Sequence, residues 1–154
     1  MDSSDRPLPI DRRDFLKTTA AAGLALGSRS LAAAAGGTND LRVALVGGGN
    51  QGMVLLEACQ KIPNIRIAAL CDIWKEYRQK YASGRLRTYG HEHSAYVDIH
   101  EMLDKEKGRL DAAIVATPDF WHADHAVACL TAGLHVYCEK EMSNTLPDAR
   151  RIVV

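Results

Sequence analysis

Apolar and polar positions follow one another in blocks along this chain. Leu41 to Val46 is a short apolar run broken only by Arg42, and Ile65 to Cys71, Leu110 to Thr117 and Leu134 to Cys138 repeat that texture. Such near-continuous runs predict strands covered on both faces of a sheet. Between them the period lengthens. Met53 to Ile62 reads as a helix with Val54, Ala58 and Ile62 on one face and Leu55 and Cys59 beside them, ended by Pro63-Asn64. Ile73 to Tyr81 has helical spacing through Ile73, Tyr77 and Tyr81, with Ser83-Gly84 as its stop. Arg85 to Ser94 is polar and aperiodic, which predicts a loop before a short strand near Ala95 to Val97. Asp98 reads as the cap of a short helix through about Asp104, with Glu101 as its capping-box partner. Asp119 reads as the cap of Phe120 to Ala132, whose inward stripe is Ala123, Ala126, Val127 and Leu130, and Gly133 supplies a left-handed stop. A last helix begins near Pro147, and its apolar pattern is still running at Val154. Strands alternating with helices predict an α/β fold, a doubly wound parallel sheet.

The first 35 residues stand outside that alternation. Asp11-Arg12-Arg13-Asp14-Phe15-Leu16-Lys17 precedes an alanine-rich, weakly apolar stretch from Thr18 to Ala35, with small residues suited to cleavage around Ala32 to Ala35. The pattern resembles a twin-arginine export signal and implies a periplasmic or other extracytoplasmic location. Arg29 interrupts the stretch, which is also short, so no stable membrane span is expected. The chain thus divides into a leader at 1–35 and a domain at 36–154, about 120 residues and enough for one modest core.

Charge adds an exclusion. Over the whole chain 19 Lys and Arg balance 19 Asp and Glu, and within 36–154 the counts are 14 and 15. Without a basic excess nothing points to nucleic acid. Cys59, Cys71, Cys129 and Cys138 show no CxxC spacing and fall in expected helices and strands. They read as buried free thiols, with a disulfide framework as the alternative.

The candidate chemistry starts at the end of the first strand. Gly47-Gly48-Gly49-Asn50-Gln51-Gly52 is a GxGxxG turn, and Asp72 stands 20 residues past its last glycine, at the end of the second strand. Strand, glycine turn, helix and acid together form a dinucleotide-binding fingerprint. Gly47 permits the tight turn, Gly49 lets backbone N–H groups approach a diphosphate, and Gly52 lets the helix pack close to the sheet. Asn50 and Gln51 lie in the same turn, where the helix N-terminus favours negative charge. Asp72 is suited to accept from the adenosine ribose hydroxyls and to repel a 2′-phosphate, which favours NAD over NADP. His122 and His125 could share a metal, but further ligands are lacking, so no metal is expected. His91 and His93 read as solvent-facing, and Trp74 as half-buried.

Two later stretches carry a resemblance. Ala116-Thr117-Pro118-Asp119-Phe120-Trp121-His122-Ala123, followed by Ala132-Gly133-Leu134-His135-Val136-Tyr137-Cys138-Glu139-Lys140, resembles the Gfo/Idh/MocA family of oxidoreductases. The resemblance spans residues 41 to 154 and implies a Rossmann domain coupled to a second α/β domain, which would follow Val154 and commonly brings a histidine. It implies that Thr117 and Pro118 lie against the cofactor, Trp121 and His122 near its nicotinamide side, and Glu139 and Lys140 at the nicotinamide ribose and substrate. In that scheme Lys140 is catalytic, polarising or helping to deprotonate a carbinol while the nicotinamide takes the hydride. Glu141 stands where the family usually has proline. A cis bond before glutamate costs roughly 2.5 to 4 kcal/mol, so altered backbone at Lys140, or a Lys140–Glu141 pair, is expected.

Three functions stay open at this point. One is NAD(P)-dependent oxidation of a CH–OH group in a sugar, cyclitol or related polyol. Another is glycoside cleavage through transient sugar oxidation, and the third is a non-catalytic dinucleotide-binding module. Export implies a cofactor held tightly and recycled, because free NAD is scarce outside the cytoplasm. The implied partners are a small sugar-like substrate and, at full length, further copies of the chain.

Overall fold

A computed structural model describes residues 40–153. The leader at 1–35 lies outside the described residues. Twelve short elements follow one another, beginning with β1 (Leu41–Val46), α1 (Asn50–Cys59) and β2 (Ile65–Cys71). A π-helical turn (Lys75–Gln79) leads into α2 (Lys80–Thr88), followed by β3 (Ser94–Tyr96), α3 (Ile99–Lys105) and β4 (Ala112–Val115). A 3-10 turn (Asp119–Trp121) opens α4 (His122–Thr131), and β5 (His135–Cys138) and α5 (Leu146–Val153) complete the domain.

The five strands form one parallel sheet in the order β3-β2-β1-β4-β5. Alternation along β1 splits the core. Val43 and Leu45 face Leu56 of α1 and Ala82 and Leu86 of α2, while Ala44 and Val46 face Ile99 and Met102 of α3 and Cys129 of α4. The β1–β2 register shifts after Val43, which pairs with Ile67 while Ala44 pairs with Ala69, so Ala68 is a bulge residue. The shift lets Ile67 and Leu70, three apart, share one face. Because β2 and β4 lie on either side of β1, the chain reverses direction across the sheet there. A crevice opens where the carboxyl ends of the strands diverge.

Two helices form where expected and a third runs past its expected stop, and all three present other faces. In α1 the buried positions are Gly52 and Leu56, whereas Val54 is 56% exposed, and Ile62, expected on the same face, lies past the end of the helix and is 53% exposed. A side-chain carbon at Gly52 would run into the Gly47 carbonyl oxygen, so Gly52 must face the turn and sets the helix phase. The π turn, closed by Gln79 N–H to the Trp74 carbonyl (3.1 Å), adds a residue and rotates α2 about its axis. Ile73, Tyr77 and Tyr81 are therefore exposed, and Gln79, Ala82, Ser83 and Leu86 turn inward. The helix also continues through Ser83-Gly84 and stops at Gly90, whose φ is 76°. In α4, His122, Ala123, Ala126 and Cys129 are buried and Leu130 is exposed.

Caps divide similarly. Asp98 accepts from Glu101 N–H (2.8 Å), but the Glu101 carboxylate pairs with Lys105 (2.8 Å) rather than closing the box. Asp119 accepts only from its neighbour Phe120 N–H (2.9 Å), and a 3-10 turn takes the place of a capped start. His91 is buried: β3 reaches only as far back as Ala69, and the Ile67 N–H donates to His91 Nδ1 instead (3.3 Å). All four cysteines are free, and burial pushes the Cys71 and Cys129 thiols up to about 12. Among the described residues no helix is long and apolar enough to cross a membrane.

Candidate functional site

The glycine turn is built by exclusion of side chains. Gly47, with φ of 100°, donates its N–H to the Cys71 carbonyl (2.8 Å), and a Cβ there would lie 2.7 Å from the Ala116 carbonyl oxygen. The turn is thereby pressed between the ends of β2 and β4. Gly49 caps α1, so Asn50 and Gln51 occupy its first turn, where backbone N–H groups have no partner within the helix.

Asp72 closes the turn from the other side. It is buried, its Oδ2 accepts from Gly48 N–H (2.8 Å) and its Oδ1 from Trp74 N–H (2.8 Å). The acid is a strut for the backbone, and each oxygen keeps a further lone pair for a ligand. Arg78 is a site residue that the sequence pattern did not single out. Its guanidinium lies 5.5 Å from the Trp74 ring centroid, and a Cβ on Gly49 would stand 3.2 Å from its Nη1. A signal exists in the spacing: Arg78 heads the stripe that continues through Ala82 and Leu86.

Beyond β4 a second group gathers. His125 Nδ1 lies 3.1 Å from Thr117 Oγ1, and the ring stacks on Trp121 at 5.5 Å between centroids and 10° between planes. Burial lowers the His125 pKa, keeping the ring neutral near neutral pH. Gly47, Gly49, Asp72, Arg78, Thr117, Pro118, Trp121 and His125 all line one cleft of about 780 Å³. Of the two histidines it is His125, four residues from Trp121 on the same helix face, that reaches the cleft. His122 is 1% exposed and off its wall, with Nδ1 2.6 Å from the Glu141 carbonyl oxygen and Nε2 2.8 Å from that of Thr117. Trp121 and His122, expected together at the nicotinamide side, are thus separated.

Glu139 and Lys140 follow β5, outside the lining of this cleft. Glu139 is tied to the glycine turn: Gln51 Nε2 donates to its Oε1 (3.1 Å), Tyr137 OH to the same oxygen (3.3 Å) and Lys140 N–H to its Oε2 (3.2 Å). The Gln51 bond chiefly, helped by the Lys140 N–H and Tyr137, holds the Glu139 carboxyl below the ordinary range. Lys140 is exposed and makes no ion pair among the described residues, Glu141 included. The Lys140–Glu141 peptide is cis. The expected Lys140–Glu141 pair is not formed among the described residues.

Comparison with known proteins agrees with this geometry. The family profile described as an oxidoreductase family, NAD-binding Rossmann fold, Gfo/Idh/MocA, matches residues 41–154, and the twin-arginine translocation signal matches residues 9–27. That signal directs export across the cytoplasmic membrane to the periplasm. A glycosyl hydrolase family 109 protein of Stenotrophomonas maltophilia is 32% identical over 90% of this chain and 31% of its own length. Myo-inositol 2-dehydrogenase of Thermotoga maritima is 29% identical over 73% of this chain and 32% of its own. The crystal structure of the WlbA dehydrogenase of Bordetella pertussis, in complex with NADH and UDP-GlcNAcA, superposes with a TM-score of 0.65 at 28% identity, covering 75% of this chain and 33% of that one. The chain spans about a third of the length of these relatives. With the family profile matched over residues 41–154 and a parallel sheet carrying the glycine turn, the chain belongs to the Gfo/Idh/MocA family of NAD-binding oxidoreductases.

Proposed function

We propose that this chain is the NAD-binding part, residues 36–154 behind a leader at 1–35, of an exported oxidoreductase acting on a CH–OH group of a sugar, cyclitol or related polyol. The observation that carries the reading is the single cleft lined by Gly47, Gly49, Asp72, Thr117, Pro118 and Trp121 at the carboxyl ends of β1, β2 and β4. Its bare backbone fits a diphosphate at the α1 N-terminus, with Asn50, Gln51 and Gly52 in the first turn. Asp72 retains lone pairs for ribose hydroxyls, and its negative charge disfavours the 2′-phosphate of NADP. Arg78 adds a cation beside Gly49 that suits the diphosphate or the adenine face. The bound nicotinamide would supply the hydride acceptor. Toward it, Glu139, oriented by Gln51, holds the ribose, and Lys140 Nζ takes the proton of the substrate hydroxyl.

The test uses the full-length protein and a panel of sugars and cyclitols. A bound-NADH absorbance change with one of them supports the reading, and none across the panel ends it. A second reading is favoured by the 32% identity to a glycosyl hydrolase family 109 protein over nearly all of this chain. It is glycoside cleavage by transient oxidation, seen as steady aglycone release from a chromogenic glycoside without net NADH. NADH binding with neither activity would leave a dinucleotide-binding module.

A further inference from the structure

The last ladder bond between β4 and β5 runs from Glu139 N–H to the Val115 carbonyl (2.9 Å). Two residues farther along each chain lie Thr117 and Glu141, and their carbonyl oxygens are the two that His122 meets, at 2.8 Å and 2.6 Å. The imidazole thus stands as one more rung beyond the end of the sheet. Carbonyl oxygens only accept, and an imidazole with one N–H donates to only one of them; the shorter contact, from Nδ1 to the Glu141 carbonyl, is the one the geometry favours. Loss of that bond would leave the Glu141 carbonyl without its partner.

We propose that His122 is a positioning residue for Lys140. Lys140 sits between two anchored neighbours, Glu139 on the Val115 carbonyl and Glu141 on the His122 ring. The same ring lies against the carbonyl of Thr117, whose hydroxyl meets His125 at the cleft wall. His122 thereby sets the separation between the cleft wall after β4 and the lysine after β5 without touching either ligand. The role of His122 deepens the oxidoreductase reading and rests on it for the role of Lys140. The mechanical part, a rung between two backbone segments, stands without it.

Two substitutions divide the rung. The amide nitrogen of asparagine lies where histidine has Nδ1, and that of glutamine where it has Nε2. His122→Asn therefore keeps the donor to Glu141, and His122→Gln the donor to Thr117. The experiment is amide hydrogen exchange across the 154-residue chain, with NADH affinity read by fluorescence on the same samples. In His122→Gln, exchange at 140–143 should rise about tenfold and NADH binding weaken by a similar factor, with the β1 amides unchanged. In His122→Asn both should stay within about twofold of the parent, because the donor to Glu141 is kept. Equal behaviour of the two variants at 140–143 would overturn the proposal. Should neither fold, ¹⁵N spectra of the parent decide: a hydrogen on Nδ1 of His122 supports the hold on Glu141, and a bare Nδ1 removes it. Failure of the parent chain to bind NADH would count against the dinucleotide reading, while the exchange result would still judge the rung.

Discussion

The turn after β1 and the turn after β5 lie at the same edge of the sheet and are held by opposite means. At Gly47 and Gly52 the backbone segments approach so closely that no side chain fits, and Asp72 braces the turn through Gly48 N–H. At Glu139 the carboxylate and at Glu141 the backbone carbonyl are held from outside, by side chains reaching over from α1 and α4. The first turn is vulnerable to added atoms, the second to removed donors. A site built from both can keep a rigid floor for a shared cofactor and vary how the reactive end is supported.

The largest expected effect tests the first kind of support. Gly52→Ala places a carbon against the Gly47 carbonyl and should cost about 3 kcal/mol or more by overpacking. Denaturant titration checks it, and a loss below about 1 kcal/mol would show that the turn yields. Asp72→Ser tests the brace. It should cost about 1 to 3 kcal/mol through weakened support of two backbone N–H groups, and it should narrow the preference for NADH over NADPH. Unchanged relative affinities in a fluorescence competition would remove Asp72 from cofactor choice.

His125 provides a pH test on the cleft wall. Burial places its folded-state pKa below the ordinary 6.5. The unfolded chain therefore binds this proton first, and the stability present above 6.5 is lost as the pH falls through the folded value. In His125→Gln the decline of melting temperature below that pH should be shallower than in the parent. Parallel curves would mean that the ring titrates alike in both states. The smallest effect belongs to Gln51→Ala, which should let the Glu139 carboxyl rise toward its ordinary value with little change in stability. An NMR titration of the Glu139 carboxyl reads this directly, and an unmoved midpoint would assign the depression to Tyr137 and Lys140 instead.

Legibility in the sequence follows the same division. The strands, the glycine turn and Asp72 could all be read in advance, because a both-faces-buried strand and a side-chain-free turn each impose a local composition. The helices could be located but not oriented. In α1 the expected face through Val54 and Ala58 pointed one way, yet the contact of Gly52 with Gly47 turned the helix another. Before α2, one extra residue in the π turn moved Tyr77 and Tyr81 to the surface. Helix phase matters at the site as well. The resemblance placed His122 beside the nicotinamide, and the fold buries it and brings His125 to the cleft.

The sequence by itself determined the α/β alternation, the dinucleotide fingerprint, the export signal and the family, since each is carried by residue type at a fixed spacing along the chain. Only the tertiary structure decided that His125 rather than His122 lines the cleft, that Gln51 reaches Glu139, and that His122 meets the Glu141 carbonyl across 19 residues. Those contacts depend on helix phase and on the meeting of segments distant in the chain. Both are settled by the packing of whole elements rather than by any local run of side chains.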